Sequence, residues 1–268
     1  MGSDTPLLTV FIGADSREVV ASDVASHSIR RRTKSNLDIR FLKHRELRKA
    51  GVFSRAWATI GTTGEWIDLV DGKPFTTEFS HSRFLVPSLM GYNGWALFMD
   101  ADMIFLSDVK KLFALADEKY AVMCVKHTHI VKPDTTKMDD RQQLAYHRKN
   151  WSSFVLWNCG HPMNRRLSED KVNTMKGIDM HTFSWLPDSV IGELPKSYNY
   201  ISGVSPQLPN DKIDMLHYTE GGPWFAECKD VPHSDLWMDE YEHFQNHGEV
   251  VISGVPSTAF EANEVRRK

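Results

Sequence analysis

Trp95-Ala96-Leu97-Phe98-Met99-Asp100-Ala101-Asp102-Met103-Ile104-Phe105-Leu106 is an apolar run broken only by two carboxylates, one residue apart. A short unbroken apolar run predicts a buried strand over 95–99, of the kind that lies in a parallel sheet covered on both faces. Acids at the end of such a strand are costly to bury unless a cation neutralises them. A bound divalent metal is one such cation. A strand that ends in a polar turn, with Asp102 facing water, fits the same residues.

Upstream, 7–12 reads as a first strand, followed by Gly13, Ala14, Asp15 and Ser16. Asp15 with Glu18 three residues on has the form of a capping box, with Asp in place of Ser or Thr. A helix is expected over 17–28, ending near Arg30-Arg31-Arg32, and a second strand over 37–42. Strand, helix and strand in this order indicate a Rossmann-like, mostly parallel α/β sheet. Gly-x-Gly-x-x-Gly and P-loop patterns are absent, which argues against a dinucleotide cofactor. The segment 43–73 is weakly patterned and is read as loops. A helix is expected over 77–89, kinked or stopped by Pro87, and another over 109–116. Further strands are expected over 120–125, 154–157 and 213–216, then a helix over 235–243 and a disordered tail from Ser257.

The 268 residues suffice for one large α/β domain. A formal charge of −3 gives no global attraction to nucleic acid or anionic membrane. The three cysteines are scattered and lack CxxC spacing, which fits a reducing compartment and no zinc cluster. No apolar stretch approaches the ~20 residues of a membrane span, and the N-terminus lacks signal-peptide character. The expectation is a cytoplasmic protein.

Three further segments carry chemistry. Arg83, in Thr77-Glu78-Phe79-Ser80-His81-Ser82-Arg83-Phe84, would reach the carboxylates or a phosphate from a helix packed on the acidic strand, or else face water. In His217-Tyr218-Thr219-Glu220-Gly221-Gly222-Pro223-Trp224, a histidine at a strand end suits a metal ligand. Gly221 and Gly222 would let backbone N–H groups approach a diphosphate, and Trp224 would clamp the site; a glycine turn beside a hydrogen-bonded histidine is the plainer account. In Trp151-Ser152-Ser153-Phe154-Val155-Leu156-Trp157-Asn158, the serines offer hydrogen bonds to sugar hydroxyls and Trp151 an apolar face, or the serines cap the strand.

Together these elements resemble the retaining, metal-dependent glycosyltransferases of family 8 and their small bacterial relatives, which have the GT-A fold. Phe98-Met99-Asp100-Ala101-Asp102 matches the family's Asp-x-Asp, and Phe79-x-x-x-Arg83-Phe84 its helix ending in Arg. His217-Tyr218-x-x-Gly221-Gly222-Pro223-Trp224 resembles its late His-Phe-x-Gly-x-x-Lys-Pro-Trp element. Trp185-Leu186-Pro187-Asp188-x-x-Ile191-Gly192-x-Leu194-Pro195, followed by Tyr198-Asn199, resembles its acidic donor-site segment. Two departures stand out. The diphosphate lysine is missing, with Lys126 or Lys149 as replacements, and Trp151-Ser152-Ser153 stands where the family has Asn-Ala/Ser-Gly.

The resemblance implies a GT-A domain over 5–228, divided near 110 into a nucleotide-binding half and an acceptor half, followed by a helix and tail over 229–268. It implies transfer of a sugar from a nucleoside diphosphate sugar, UDP-linked by preference, to a glycan or lipid-linked hydroxyl, with retention. Asp100, Asp102 and His217 would hold Mn²⁺ or Mg²⁺, the mixed donor set favouring Mn²⁺. Gly13, Ala14 and Asp15 would meet the nucleoside. Arg83, Asp100, Ala101, Ser152, Ser153, Gly221, Gly222 and Trp224 would line the donor, and Asp188 would lie beside its sugar. Three other readings stay open: a degenerate sugar-nucleotide-binding protein, transfer onto a modified DNA base contacted by Arg30-Arg31-Arg32, and a zinc hydrolase built on His127-x-His129.

Overall fold

The computed structural model describes residues 7–127, 148 and 151–248. In chain order its strands and helices begin with β1 Leu8–Gly13, α1 Val19–Arg30, β2 Leu37–Leu42 and α2 His44–Lys49. A small meander follows: β3 Trp57–Thr59, β4 Trp66–Asp68 and β5 Pro74–Phe75. Then come α3 Val86–Leu89, β6 Trp95–Met99, β7 Met103–Phe105, α4 Val109–Phe113, β8 Val122–Cys124 and β9 Phe154–Asn158. The remainder is α5 Glu169–Thr174, α6 Gly177–His181, β10 Ile191–Glu193, β11 Tyr200–Ile201, β12 Met215–His217 and α7 Ser234–His247.

The six-stranded main sheet has the order β10-β8-β9-β6-β1-β2, and only β9 runs against its neighbours. Every residue of β1 and β9 is buried, as expected for strands covered on both faces. Val10, Ile12, Leu97, Met99 and Leu156 fill one side against α1; Phe11, Phe98, Val155 and Trp157 fill the other. The fold is the mixed α/β single domain expected, with a central, mostly parallel sheet.

A second, three-stranded sheet, β11-β12-β7, decides the geometry of the acidic segment. Asp100 N–H donates to Ser153 O (3.0 Å), extending the β6–β9 ladder, while Tyr218 N–H donates to Asp102 O (2.9 Å), extending β7–β12. The two acids therefore straddle the point where the chain leaves one sheet for the other. Ser28 Oγ, buried on α1, accepts from Phe105 N–H (2.9 Å) and pins β7 to the helix.

Several local expectations are corrected. The segment 77–89 is not one helix: turns lead into a 3-10 turn, Ser82–Leu85, and then α3. Phe79 to Pro87 are all buried, so no amphipathic 3.6-residue period was available to be read. Ser80 Oγ also pairs with the Thr77 hydroxyl at 2.8 Å, offering the chain an alternative to a helical ladder. Pro87 sits in the first turn of α3, where it is tolerated. The Asp15–Glu18 capping box does not form: α1 starts at Val19, and Glu18 makes no side-chain cap bond. The segment read as loops contains α2 and the meander. Buried Arg55 welds this segment to α5 by donating to both Asp68 oxygens (2.9 and 2.6 Å) and to Val172 O and Met175 O (2.9 and 2.7 Å). The helix expected over 109–116 ends at Phe113, and the last helix runs longer than expected, to His247. The tail from Ser257 lies outside the described residues.

Candidate active site

Parallel pairing sets Ile12 beside Met99, so Gly13–Asp15 and Asp100–Asp102 leave neighbouring strands at the same end of the sheet. Antiparallel pairing sets His217 beside Met103, bringing the imidazole from the other half of the chain to Asp102. One donor atom each from Asp100, Asp102 and His217 lies within 4.8 Å of the others.

Arg83 supplies the cation that Asp100 needs. Its Nη1 lies 2.9 Å from Asp100 Oδ1 and 3.0 Å from Ser152 O, with the guanidinium over the rings of Phe79 and Phe98. Two carboxylates share one guanidinium in a mostly enclosed place, where burying unpaired charge is costly. Asp102 Oδ1 is buried and, among the described residues, has no hydrogen-bond partner; His217 Nε2 faces it at 3.2 Å. Oxygen and imidazole donors converging on an uncompensated carboxylate fit a divalent cation such as Mn²⁺ or Mg²⁺.

The other expected site residues fall in different places. Gly13 owes its identity to Phe79, whose ring would lie 2.3 Å from a Cβ there. Asp15 is buried; burial alone would raise its pKa, but hydrogen bonds from Arg17, the Arg17 charge and the Glu78 N–H hold it below the ordinary carboxylate range. Ala101 is buried in the same apolar cluster as Phe79 and Phe98. Ser152 and Ser153 are buried as well, and their hydroxyls meet His181 Nδ1 (2.7 Å) and Asn199 Nδ2 (3.1 Å).

In the late glycine element, Gly221 has φ +106° and donates its N–H to Tyr218 O, so that amide is committed to the turn. A Cβ on Gly222 would lie 2.0 Å from the Trp224 ring, which packs against Tyr218 and Trp237. Gly222 makes room for the indole, and Gly221 supplies the left-handed turn.

Asp188 is not part of the carboxylate–imidazole group. It precedes β10, and successive registers align Ile191 with Val122, Trp157 and Ala96, well before Asp100. Its side chain is 85% exposed and pairs with Arg148. Lys126 donates to Ile191 O (2.8 Å) and lies over the Trp151 ring, while Lys149 and His129 are outside the described residues. Arg31 and Arg32 pair with buried Glu240 on α7 at 3.3 and 2.7 Å, so they join two helices rather than stand ready for phosphates. Asn199, fully buried between Ser153 and His217, was visible in the sequence only as the end of a family-like segment.

No protein-family model matches the chain. Protein CDI of Arabidopsis thaliana is 43% identical over 238 residues, which make up 88% of this chain and 86% of the relative. Among solved structures, the bifunctional glycosyltransferase WbbM superposes with TM-score 0.58 at 16% identity, over 90% of this chain and 50% of its own. The glycosyltransferase GlyE of Streptococcus pneumoniae TIGR4 gives 0.56 at 14% identity, over 97% and 64%. The galactosyltransferase LgtC, in complex with donor and acceptor sugar analogs, gives 0.55 at 13% identity, over 88% and 95%. The chain thus spans about half of WbbM and less than two thirds of GlyE. The likeness is one of fold, and that fold is GT-A.

Proposed function

The chain belongs to the family of Protein CDI of Arabidopsis thaliana, and from its GT-A fold and the geometry of the site we propose that it is a nucleotide-sugar-dependent glycosyltransferase. The observation that carries the proposal is the convergence of Asp100, Asp102 and His217 within 4.8 Å, at the end of the sheet where Gly13–Asp15 also emerges. In open α/β sheets, ligands bind outside the carboxyl ends of the strands. The donor is a nucleoside diphosphate sugar, with UDP preferred. The acceptor is a hydroxyl of a glycan or lipid-linked saccharide, and the location is the cytoplasm. No helix among the described residues is long and apolar enough to cross a membrane.

Asp100, Asp102 and His217 would hold a divalent cation, Mn²⁺ in preference to Mg²⁺, which when bound stabilises negative charge on a departing diphosphate. Arg83 pairs with Asp100 and fixes it, and the two ladder hydrogen bonds from Asp100 N–H and to Asp102 O hold the acids on a rigid turn. Exposure and the Arg148 pair weigh against Asp188 as a buried nucleophile. Retention is accordingly assigned to front-face attack of the acceptor hydroxyl, its proton passing to the departing diphosphate.

A thermal-shift panel of nucleoside diphosphates and nucleotide sugars, each with Mn²⁺ and with EDTA, tests the proposal. A ligand that binds the native state raises the midpoint. The expected result is a metal-dependent rise for one nucleotide and its sugars. No shift with any of them would replace the enzyme by a degenerate relative.

A further inference from the structure

Asn199 closes a hydrogen-bonded ring around the carboxylate–imidazole group. Its Nδ2 donates to Ser153 Oγ (3.1 Å), and its Oδ1 lies 2.7 Å from His217 Nδ1. Ser153 in turn accepts the Asp100 N–H through its carbonyl (3.0 Å). Asn199 is 0% exposed and His217 2%, so neither side chain can turn to water instead.

An amide oxygen only accepts. A neutral imidazole facing it carries its proton on Nδ1 and leaves a lone pair on Nε2. That lone pair faces Asp102 Oδ1 at 3.2 Å, an oxygen with no hydrogen-bond partner among the described residues. Had the proton been on Nε2, it would have been available to Asp102 directly. Two electron-rich atoms at this distance call for a positive charge between them, a proton on Nε2 or a divalent cation that takes its place, and in either case the Nδ1 proton stays directed at Asn199.

We infer that Asn199 is a positioning residue that holds His217 in the Nδ1–H tautomer and so presents Nε2 to the divalent cation shared with Asp100 and Asp102. This rests on the metal reading of the site. It adds the group that makes the histidine a ligand rather than a hydrogen-bond donor to Asp102. A second partner on a ligating imidazole fixes ring orientation and raises ligand basicity, and its loss typically weakens metal binding or activity ~10–100-fold.

The test has two arms. Long-range ¹H–¹⁵N correlation of the metal-free, ¹⁵N-histidine-labelled full chain, with His217→Gln for assignment, reads the tautomer without any variant of Asn199. Mn²⁺ binding, followed by electron paramagnetic resonance of the free ion, is then compared for wild type, Asn199→Leu and Asn199→Asp. The expected tautomer has the proton on Nδ1. Asn199→Leu should lose about 10–100-fold in Mn²⁺ affinity, and Asn199→Asp, which still accepts from Nδ1–H, should stay within several-fold of wild type. A neutral ring with its single proton on Nε2 would overturn the role of Asn199 while leaving the metal reading intact. Wild-type affinity in Asn199→Leu would overturn it too. If wild type binds no Mn²⁺, the metal reading falls and takes the inference with it; an Nδ1–H tautomer would then mark the failure as lying in the metal, not in the hydrogen bond.

Discussion

Arg83 and Asp100 meet at 2.9 Å across the junction of the two sheets, and the same guanidinium nitrogen donates to Ser152 O. One cation thus ties the acidic turn to the segment that leads into β9. Arg83→Met keeps much of the packing between Phe79 and Phe98 but strands the carboxylate. Breaking a buried pair in this way costs on the order of 3 kcal/mol, reduced here because the Asp100 side chain is 14% exposed. Chemical denaturation should show the loss, and Mn²⁺ should restore part of it. An unchanged midpoint would mean that Asp100 is solvated well enough without Arg83.

Asp102 has the opposite dependence. Its Oδ1 makes no hydrogen bond among the described residues, and its side chain is 21% exposed. Asp102→Asn should leave the metal-free thermal midpoint nearly unchanged while abolishing the Mn²⁺-dependent shift. Turnover should fall by more than the ~100-fold expected for an outer-shell partner. Full activity in this variant would remove Asp102 from the metal site.

Two histidines behind the site give the fold a pH dependence. Burial is the first cause that lowers the pKa of both His81 and His181, and the positive charges of Arg55 and Arg83 add to it; His181 is pushed down to about 3. In the unfolded chain both take a proton near pH ~6.5. The unfolded state therefore binds more protons below that pH, and stability rises with pH across the window. Lowering the pH from about 6.5 toward 3 should cost up to ~1.4 kcal/mol per unit through His181, and His81 adds to the loss in the same direction. Urea midpoints measured between pH 7 and 5 should fall in wild type and fall less steeply in His181→Asn. Parallel slopes would refute the assignment.

Gly13 offers a test of packing that leaves the acids untouched. A Cβ at this position would lie 2.3 Å from the Phe79 ring. Forcing an extra methyl into a packed site costs about 1–3 kcal/mol, so Gly13→Ala should destabilise by that amount. The double variant Gly13→Ala/Phe79→Leu should recover part of it, because neighbours that share one space do not act additively. Additive losses would show that Phe79 is not what the glycine makes room for.

What the sequence disclosed followed from how local each signal was. The run 95–99 and its acids were readable because a strand buried on both faces is apolar throughout, which leaves carboxylates conspicuous. The turns at 77–81 and the 3-10 turn after them were misread as helix because uniform burial erases periodicity. Gly221 and Gly222 advertised backbone approach to a ligand, but one N–H is committed to Tyr218 and the other glycine yields its space to Trp224. Asn199 gave no chemical signal of its own. Its importance comes from the β11–β12 pairing, in which Ile201 aligns with His217, and a single sequence does not display register between distant strands.

That pairing has a consequence for assembly. The acids come from the first half of the chain and the imidazole from the second, joined only when β7 finds β12. Such long-range contacts form slowly, since loop closure must precede any gain from them. A nascent chain that has emerged through Asp102 carries the carboxylates but no binding centre. Cation capture would then follow topological completion, acting as a latch on the finished fold rather than a nucleus for it.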